Sequence, residues 1–394
     1  MPFRRHLRLA DLRGIGRLAI DATIGITDLV EAMHRNIAST PGIFGDQAVG
    51  GARGLAGLVY RSVRGTTRLI GGGIDAALAP LVPLLGADTS SRERNAVVSA
   101  LNGIMGDHLQ ATRNPLALRM NFCVEGDALP LTHDALAAAF PHASGKIVIL
   151  VHGLCMNDQQ WLRAGHDHGV ALGRDLGYSP LYLRYNTGLP IAANGRSLAA
   201  ILDELVAHWP VKVREIVVLA HSMGGLVARS AFYVAGETKC GWPGITRAMI
   251  FLGTPHHGAP LERGGHWLDT ILAASPYVAP FARIGQLRSA GITGLRYGHV
   301  HERAANHAVP THLPLPAGTP CFAIAASASK EGGEIIRNLL GDGLVPVASA
   351  LGRHKNKMRD LAFPLDRQWI GYGMNHMDLL SATPVYEKIR AWLA

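Results

Sequence analysis

IVVLAHSMGGLVARS, residues Ile216 to Ser230, runs from a β-branched apolar strand straight into an amphipathic helix. The junction is His221-Ser222-Met223-Gly224-Gly225. A serine on a strand–turn–helix junction sits at a tight elbow that pushes its hydroxyl into the open. Such a turn demands small neighbours, because backbone and helix approach closely there. Gly224 and Gly225 meet that demand, and Ala220 stands where the usual pentapeptide has its first glycine. The helix N-terminus also brings backbone N–H groups and a positive dipole end to the serine. Ser222 is therefore the candidate nucleophile.

Outward from the elbow, the chain reads as strands alternating with helices. KIVILVHG (Lys146–Gly153) is a nearly continuous apolar run, the mark of a strand buried on both faces. Further strands are read at Pro180–Tyr185, Ala248–Leu252 and Cys321–Ala325, and LALRMNFCV as an edge strand. Ser197–Trp209 carries Leu198, Ile201, Leu202, Leu205 and Val206 at helical spacing, and Pro384–Leu393 reads as a closing helix. The pattern implies an α/β fold with a mostly parallel sheet covered on both faces.

Residues 1–112 read as helix only, a helical N-terminal extension ahead of a catalytic domain at 113–394. Apolar residues recur at helical spacing over 16–38, 55–81 and 97–109. In the second of these helices Arg61, Arg64 and Arg68 share one face opposite an apolar one. That suits a helix lying in an anionic membrane interface, and equally a helix docked on the catalytic domain. Residues 259–320 show no strand pattern but include the apolar HWLDTILAA and PYVAPFARI. They read as a cap or lid over the catalytic mouth, since long structureless loops are uncommon in compact domains.

Acyl transfer needs two N–H donors aimed at the developing oxyanion. Met223, the residue after the nucleophile, supplies one; Leu154, after the strand that ends in Val151-His152-Gly153, is the candidate for the other. Serine also needs a base. Among 19 histidines, His376 in GMNHMDLL stands out, in a loop just before the final helix; His256 and His257 in GTPHHG compete. The acid should follow a late strand and precede that histidine. Asp342 in LLGDGLVPVASA fits, with Asp360, Asp366 and Asp378 as alternatives. The order Ser222, Asp342, His376 is that of the α/β hydrolases.

VHGL, AHSMGGLVAR, FLGTPHHG, GDGLVP and MNHMD, in this order, resemble bacterial triacylglycerol lipases and GPI inositol-deacylase-like serine esterases. The alanine-first pentapeptide resembles that of the small Bacillus lipases. The resemblance spans roughly Ile147 to Leu393 and leaves the N-terminal helices outside. It implies an α/β-hydrolase fold, Ser222 with Asp342 and His376 as a triad, and Leu154 and Met223 as oxyanion donors. Some larger lipases hold calcium through an aspartate two residues after the histidine; Asp378 matches that place, but the second aspartate has no counterpart.

Composition narrows the classes. Hydrophobic residues make up 48% and charged residues 17% of 394, enough for a large core and too few charges for a disordered chain. The net charge of +9 favours anionic surfaces. No basic arm, zinc-ligand spacing or aromatic RNA-binding signature accompanies it, so nucleic acid is not an expected partner. Four scattered cysteines give no disulfide framework, no apolar run reaches membrane-spanning length, and the reading is cytoplasmic, with peripheral membrane contact the companion reading. The expectation is a carboxylic-ester hydrolase, lipase- or esterase-like, acting on an ester or lipid through an acyl-enzyme and needing no cofactor or metal. An acyltransferase or thioesterase on the same triad is the rival within catalysis, and a non-catalytic membrane or protein-interaction module the rival outside it.

Overall fold

Strand β1 (Asn121–Val124) turns back at Glu125 and Gly126 into the short β2 (Asp127–Ala128). Both turn residues have positive φ, 51° and 91°, the backbone that lets a two-residue hairpin follow the twist of its strands. β2 therefore forms the sheet edge, and β1, expected there, lies one place in. The apolar runs follow as β3 (Lys146–Val151), β4 (Ser179–Arg184), β5 (Glu215–His221), β6 (Thr246–Leu252), β7 (Cys321–Ser327) and β8 (Gln368–Tyr372). β8 is the strand that sequence pattern left unplaced; only Gly371 of its five residues is buried, so it lacks the apolar run that marks its neighbours.

The computed structural model describes residues 10–11, 13–21, 24, 92–258, 289–297, 313–329 and 341–394. The arginine-faced helix with Arg61, Arg64 and Arg68, and most of the expected cap at 259–320, lie outside the described residues. The eight strands form one sheet in the order β2-β1-β4-β3-β5-β6-β7-β8. β1 is antiparallel to β2 and β4, and every pair from β4 to β8 is parallel. This is the α/β-hydrolase arrangement. The chain leaves β3 toward β4 and then crosses to β5 on the other side. That reversal is a topological switch point at the carboxyl ends of β3 and β5, the place where open α/β sheets bind ligands.

Helices cover both faces. α1 (Arg92–Ala111), α2 (His133–Ala139), α3 (His168–Leu176), α4 (Ile191–His208), α5 (Met223–Thr238), α6 (Ala290–Tyr297), α7 (Val347–Ala350) and α8 (Thr383–Leu393) are described. Alternation along the strands sends Ile147, Ile149, Ile216 and Val218 to one core, with Leu198 and Leu202 of α4 and Leu226 of α5. Val148, Leu150, Val217 and Leu219 enter a second core with Leu172 of α3 and Ile389 of α8. Each such fully buried side chain contributes about 1.5–3 kcal/mol, which is why the central strands are apolar on both faces.

The chain divides into two compact units, residues 1–89 with 112–116, and residues 90–111 with 117–394. In the first, the described residues between 10 and 24 are helical, Asn114 Nδ2 donates to the Gly14 carbonyl (3.0 Å), and Arg17 donates to that of Arg113 (2.8 Å). α1 belongs to the second unit, with the sheet. No helix among the described residues is long and apolar enough to cross a membrane.

Candidate active site

β5 ends in His221, and Ser222 follows with φ 54° and ψ −126°, a backbone region that strains any residue but glycine. The strain persists because the surroundings fix it. The Ser222 amide donates to Leu252 O of β6 (2.8 Å), and α5 begins at once with Met223. The glycines after it are steric necessities. A Cβ on Gly224 would run into the carbonyls of Val151 and His152, and one on Gly225 would overlap the Thr254 hydroxyl. On the β3 side, a Cβ at Gly153 would lie 3.0 Å from Ser222 Cβ, so the turn after β3 sits directly against the serine. Ser222 itself is buried, 4% exposed, rather than open.

His376 and Asp342 come together from loops 34 residues apart. His376 Nδ1 donates to Asp342 Oδ2 at 2.6 Å, and both side chains are buried. The other carboxylate oxygen, Oδ1, accepts from the amides of Leu344 (2.9 Å) and Val345 (2.7 Å). The carboxylate is thus fixed from both ends, and it sets the proton on Nδ1 and leaves Nε2 as the basic nitrogen. The ring packs beside the β6 exit: a Cβ on Gly253 would come within 2.9 Å of His376 Cε1. Since Leu252 holds the Ser222 amide, one short backbone segment touches both serine and imidazole.

The other candidates occupy different positions. His256 is buried, taking Arg229 Nη1 on its Nδ1 (3.3 Å) and packing against Phe251 and Phe363. His257 Nε2 donates to Gly352 O (2.9 Å). Asp360 accepts from the amides of His354 and Ala362, and Asp378 from that of Asn375. Asp366 lies within a short 3-10 turn at Leu365–Arg367. Leu154 and Met223 are both buried, Met223 as the first residue of α5, where helix amides have no intrahelical carbonyl.

Five residues to which sequence reasoning gave no role lie beside this group or its loops. His221 Nε2 donates to His376 O (3.2 Å), and the two rings lie 4.6 Å apart. Burial, and then the neighbouring His376, hold His221 well below the ordinary histidine range, so it stays neutral. His152 stacks on Tyr185, and burial depresses its pKa to about 3. Tyr185 donates to His152 O (2.8 Å), and Thr187 Oγ1 accepts the Cys155 amide (3.1 Å). Deeper in, His168 Nε2 donates to Leu379 O (3.0 Å), three residues past His376, and burial lowers its pKa to about 4. The sequence signal for the first two was their place beside the motifs, His152 in VHGL and His221 in AHSMGG; Tyr185 and Thr187 had none.

An arrangement of this kind, with a strained serine at a helix N-terminus, a carboxylate-anchored imidazole and a tight turn after the neighbouring strand, can perform nucleophilic acyl transfer. Residues 142–273 match the family model described as a PGAP1-like alpha/beta domain. No curated protein matches the chain by sequence. Among solved structures, the chain is similar to a Thermogutta terrifontis thermophilic esterase at 16% identity and TM-score 0.36, over 64% of this chain and 90% of that one. A Pyrococcus furiosus esterase gives 18% and 0.38, over 64% and 80%. Aspergillus fumigatus lipase B gives 12% and 0.36, over 96% and 83%. TM-scores this low carry no weight of their own; strand order and elbow geometry carry the fold. The chain is an α/β-hydrolase-fold protein that resembles the GPI deacylase-like esterases through its PGAP1-like segment.

Proposed function

We propose that the protein is a carboxylic-ester hydrolase that works through an acyl-enzyme on Ser222. The observation that carries this reading is the buried His376–Asp342 pair at 2.6 Å, delivered to the β6 exit that also holds the Ser222 amide. His376 Nε2 takes the Ser222 proton as Oγ attacks the ester carbonyl. Asp342 keeps the imidazole oriented and stabilises its charged form. The amides of Met223 and Leu154 receive the oxyanion. His376 then protonates the leaving alcohol, and water attacks the acyl-enzyme with the same histidine as base. The substrate is an ester or lipid, in keeping with the PGAP1-like segment and its resemblance to GPI deacylase-like esterases.

The test is hydrolysis of p-nitrophenyl esters from acetate to palmitate by wild type and Ser222→Ala, with labelling by a fluorophosphonate. Turnover and labelling in wild type, both lost in the variant, are expected. Equal turnover in the variant, or none in wild type on any ester, would overturn the reading. Thioester substrates and added alcohol acceptors run alongside separate hydrolysis from transfer.

A further inference from the structure

Helix α1 lies outside the segment that matches the PGAP1-like family, yet it packs on the turns that follow β3 and β4 and on α6. Gly103 lies against the turn after β3. A Cβ on Gly103 would overlap Cys155 Sγ and come within 3.0 Å of Cys155 Cα and 3.1 Å of its amide nitrogen. Three residues on, past the kink at Met105, a Cβ at Gly106 would overlap the Asn186 amide, whose Nδ2 donates to Gly106 O at 2.9 Å. Toward the other end, Asn95 Nδ2 donates to Gln159 Oε1 at 3.0 Å. Glycine is a poor helix former. Gly103 and Gly106, either side of a kink at Met105 (φ −141°), meet the turns after β3 and β4 respectively and serve close approach rather than helix stability.

The turn being gripped is strained. Met156 N donates to Gly153 O (3.3 Å), and Cys155 within that turn has φ 61°, the left-handed region that a side chain with a Cβ rarely adopts. Two things hold Cys155 there. The Thr187 hydroxyl accepts its amide, and α1 backs its side chain, with Ala100 O as the weak acceptor of the thiol (3.9 Å). Without them Cys155 would relax to negative φ, and the neighbouring Leu154 peptide would swing. We propose that α1 and Thr187 set the geometry of the oxyanion turn, making Gly103 and Thr187 positioning residues for acyl transfer. This rests on the reading of Leu154 as an oxyanion donor given above. The same helix carries α6 as well: Ser289 Oγ donates to Gly103 O (2.6 Å), and the Ala290 amide to Asp107 (2.8 Å).

The test compares wild type, Ser222→Ala, Gly103→Ala, Thr187→Val, Thr187→Ser and the double variant Gly103→Ala/Cys155→Gly on p-nitrophenyl butyrate. An alkylboronic acid serves as the probe, because its tetrahedral adduct on serine places an oxygen in the oxyanion hole. Gly103→Ala and Thr187→Val are expected to lower kcat about 10- to 100-fold with KM within about twofold. Boronate affinity should fall by the same factor as kcat. Thr187→Ser restores the acceptor and should return to within about threefold of wild type. Cys155→Gly removes the Sγ overlap and the left-handed strain but leaves the backbone contacts at 3.0 and 3.1 Å, so the double variant should recover most of the loss. If Gly103→Ala does not fold, the Thr187 pair decides alone. Folded variants with unchanged kcat, or with KM rising in step with the loss, would overturn the positioning role. Wild type without turnover, or Ser222→Ala equal to it, would instead remove the site reading on which the role rests.

Discussion

Replacing Asp342 by asparagine changes one atom of the carboxylate and separates chemistry from scaffolding. In the native protein Oδ1 takes two buried amides, those of Leu344 and Val345, while Oδ2 faces His376 Nδ1. An asparagine must turn its one carbonyl oxygen toward the two amides, since leaving both unpaired would cost about 1–3 kcal/mol each. Its NH2 then faces His376 Nδ1, and two donors cannot meet. The imidazole escapes by moving its proton to Nε2, so the nitrogen that should accept the Ser222 proton already carries one. The loss expected for such a tautomer trap is about four orders of magnitude in kcat, the size seen in the serine-protease triad, or about 5 kcal/mol of barrier. Stability should change by only about 1 kcal/mol, because the loop keeps its two bonds. Asp342→Ala, by contrast, should lose activity and several kcal/mol together. Steady-state hydrolysis of p-nitrophenyl butyrate with urea unfolding on the same samples reads both quantities. An asparagine variant that is folded and keeps more than a tenth of kcat would refute the assignment of Asp342.

Two further outcomes follow from the geometry. Ser222 pays for its φ of 54° and ψ of −126° with about 1–3 kcal/mol of backbone strain, so Ser222→Gly should unfold at higher urea than Ser222→Ala even after the entropy that glycine adds to the unfolded chain; equal midpoints would show the elbow to be relaxed. Burial holds His168 near 4 against about 6.5 unfolded, so the unfolded chain takes up that proton first as pH falls. Stability should be flat above pH 6.5 and drop below it, by about 2 kcal/mol from this group at pH 5 and about 3 at pH 4. His168→Gln, which keeps a donor for Leu379 O, should flatten that slope by about one proton in unfolding free energies measured from pH 7 to 4; an unchanged slope would place the titration elsewhere.

The fold was legible where a single physical demand dominates a stretch of sequence. KIVILV and IVVLAH are apolar on both alternating faces because helices cover both sides of their strands, and no other common element reads that way. Gly224 and Gly225 were legible because the elbow leaves no room for a Cβ. Asp342 and His376 could be singled out by chain order and glycine context, and the structure puts them in one hydrogen bond. What was hidden depends on contacts between distant segments. Gly103 and Gly106 look like blemishes in a helix until Cys155 and Asn186 are seen against them. Helical spacing assigns Arg92–Ala111 to a run of N-terminal helices, whereas its contacts group it with the sheet. β8 escaped because its exposed edge place requires no continuous apolar run. His152 and His221 lie inside the motifs, but only burial tells that they remain neutral.

The bond from His168 to Leu379 spans 211 residues, and that from Ser289 to Gly103 spans 186. Chains are synthesised from the N-terminus, and long-range closures come late because their loop entropy must be lost before any contact rewards it. The parallel β3–β5 pairing, Lys146 with Glu215, and the elbow after it close a shorter loop than either of those bonds. Ser222 can thus be in place while its hydroxyl is still an ordinary alcohol. Its proposed base, His376, is tied to the elbow by a longer closure, the His221 Nε2 bond to His376 O across 155 residues. On the proposed reading, a nascent or half-folded chain that lacks this closure carries Ser222 without its base.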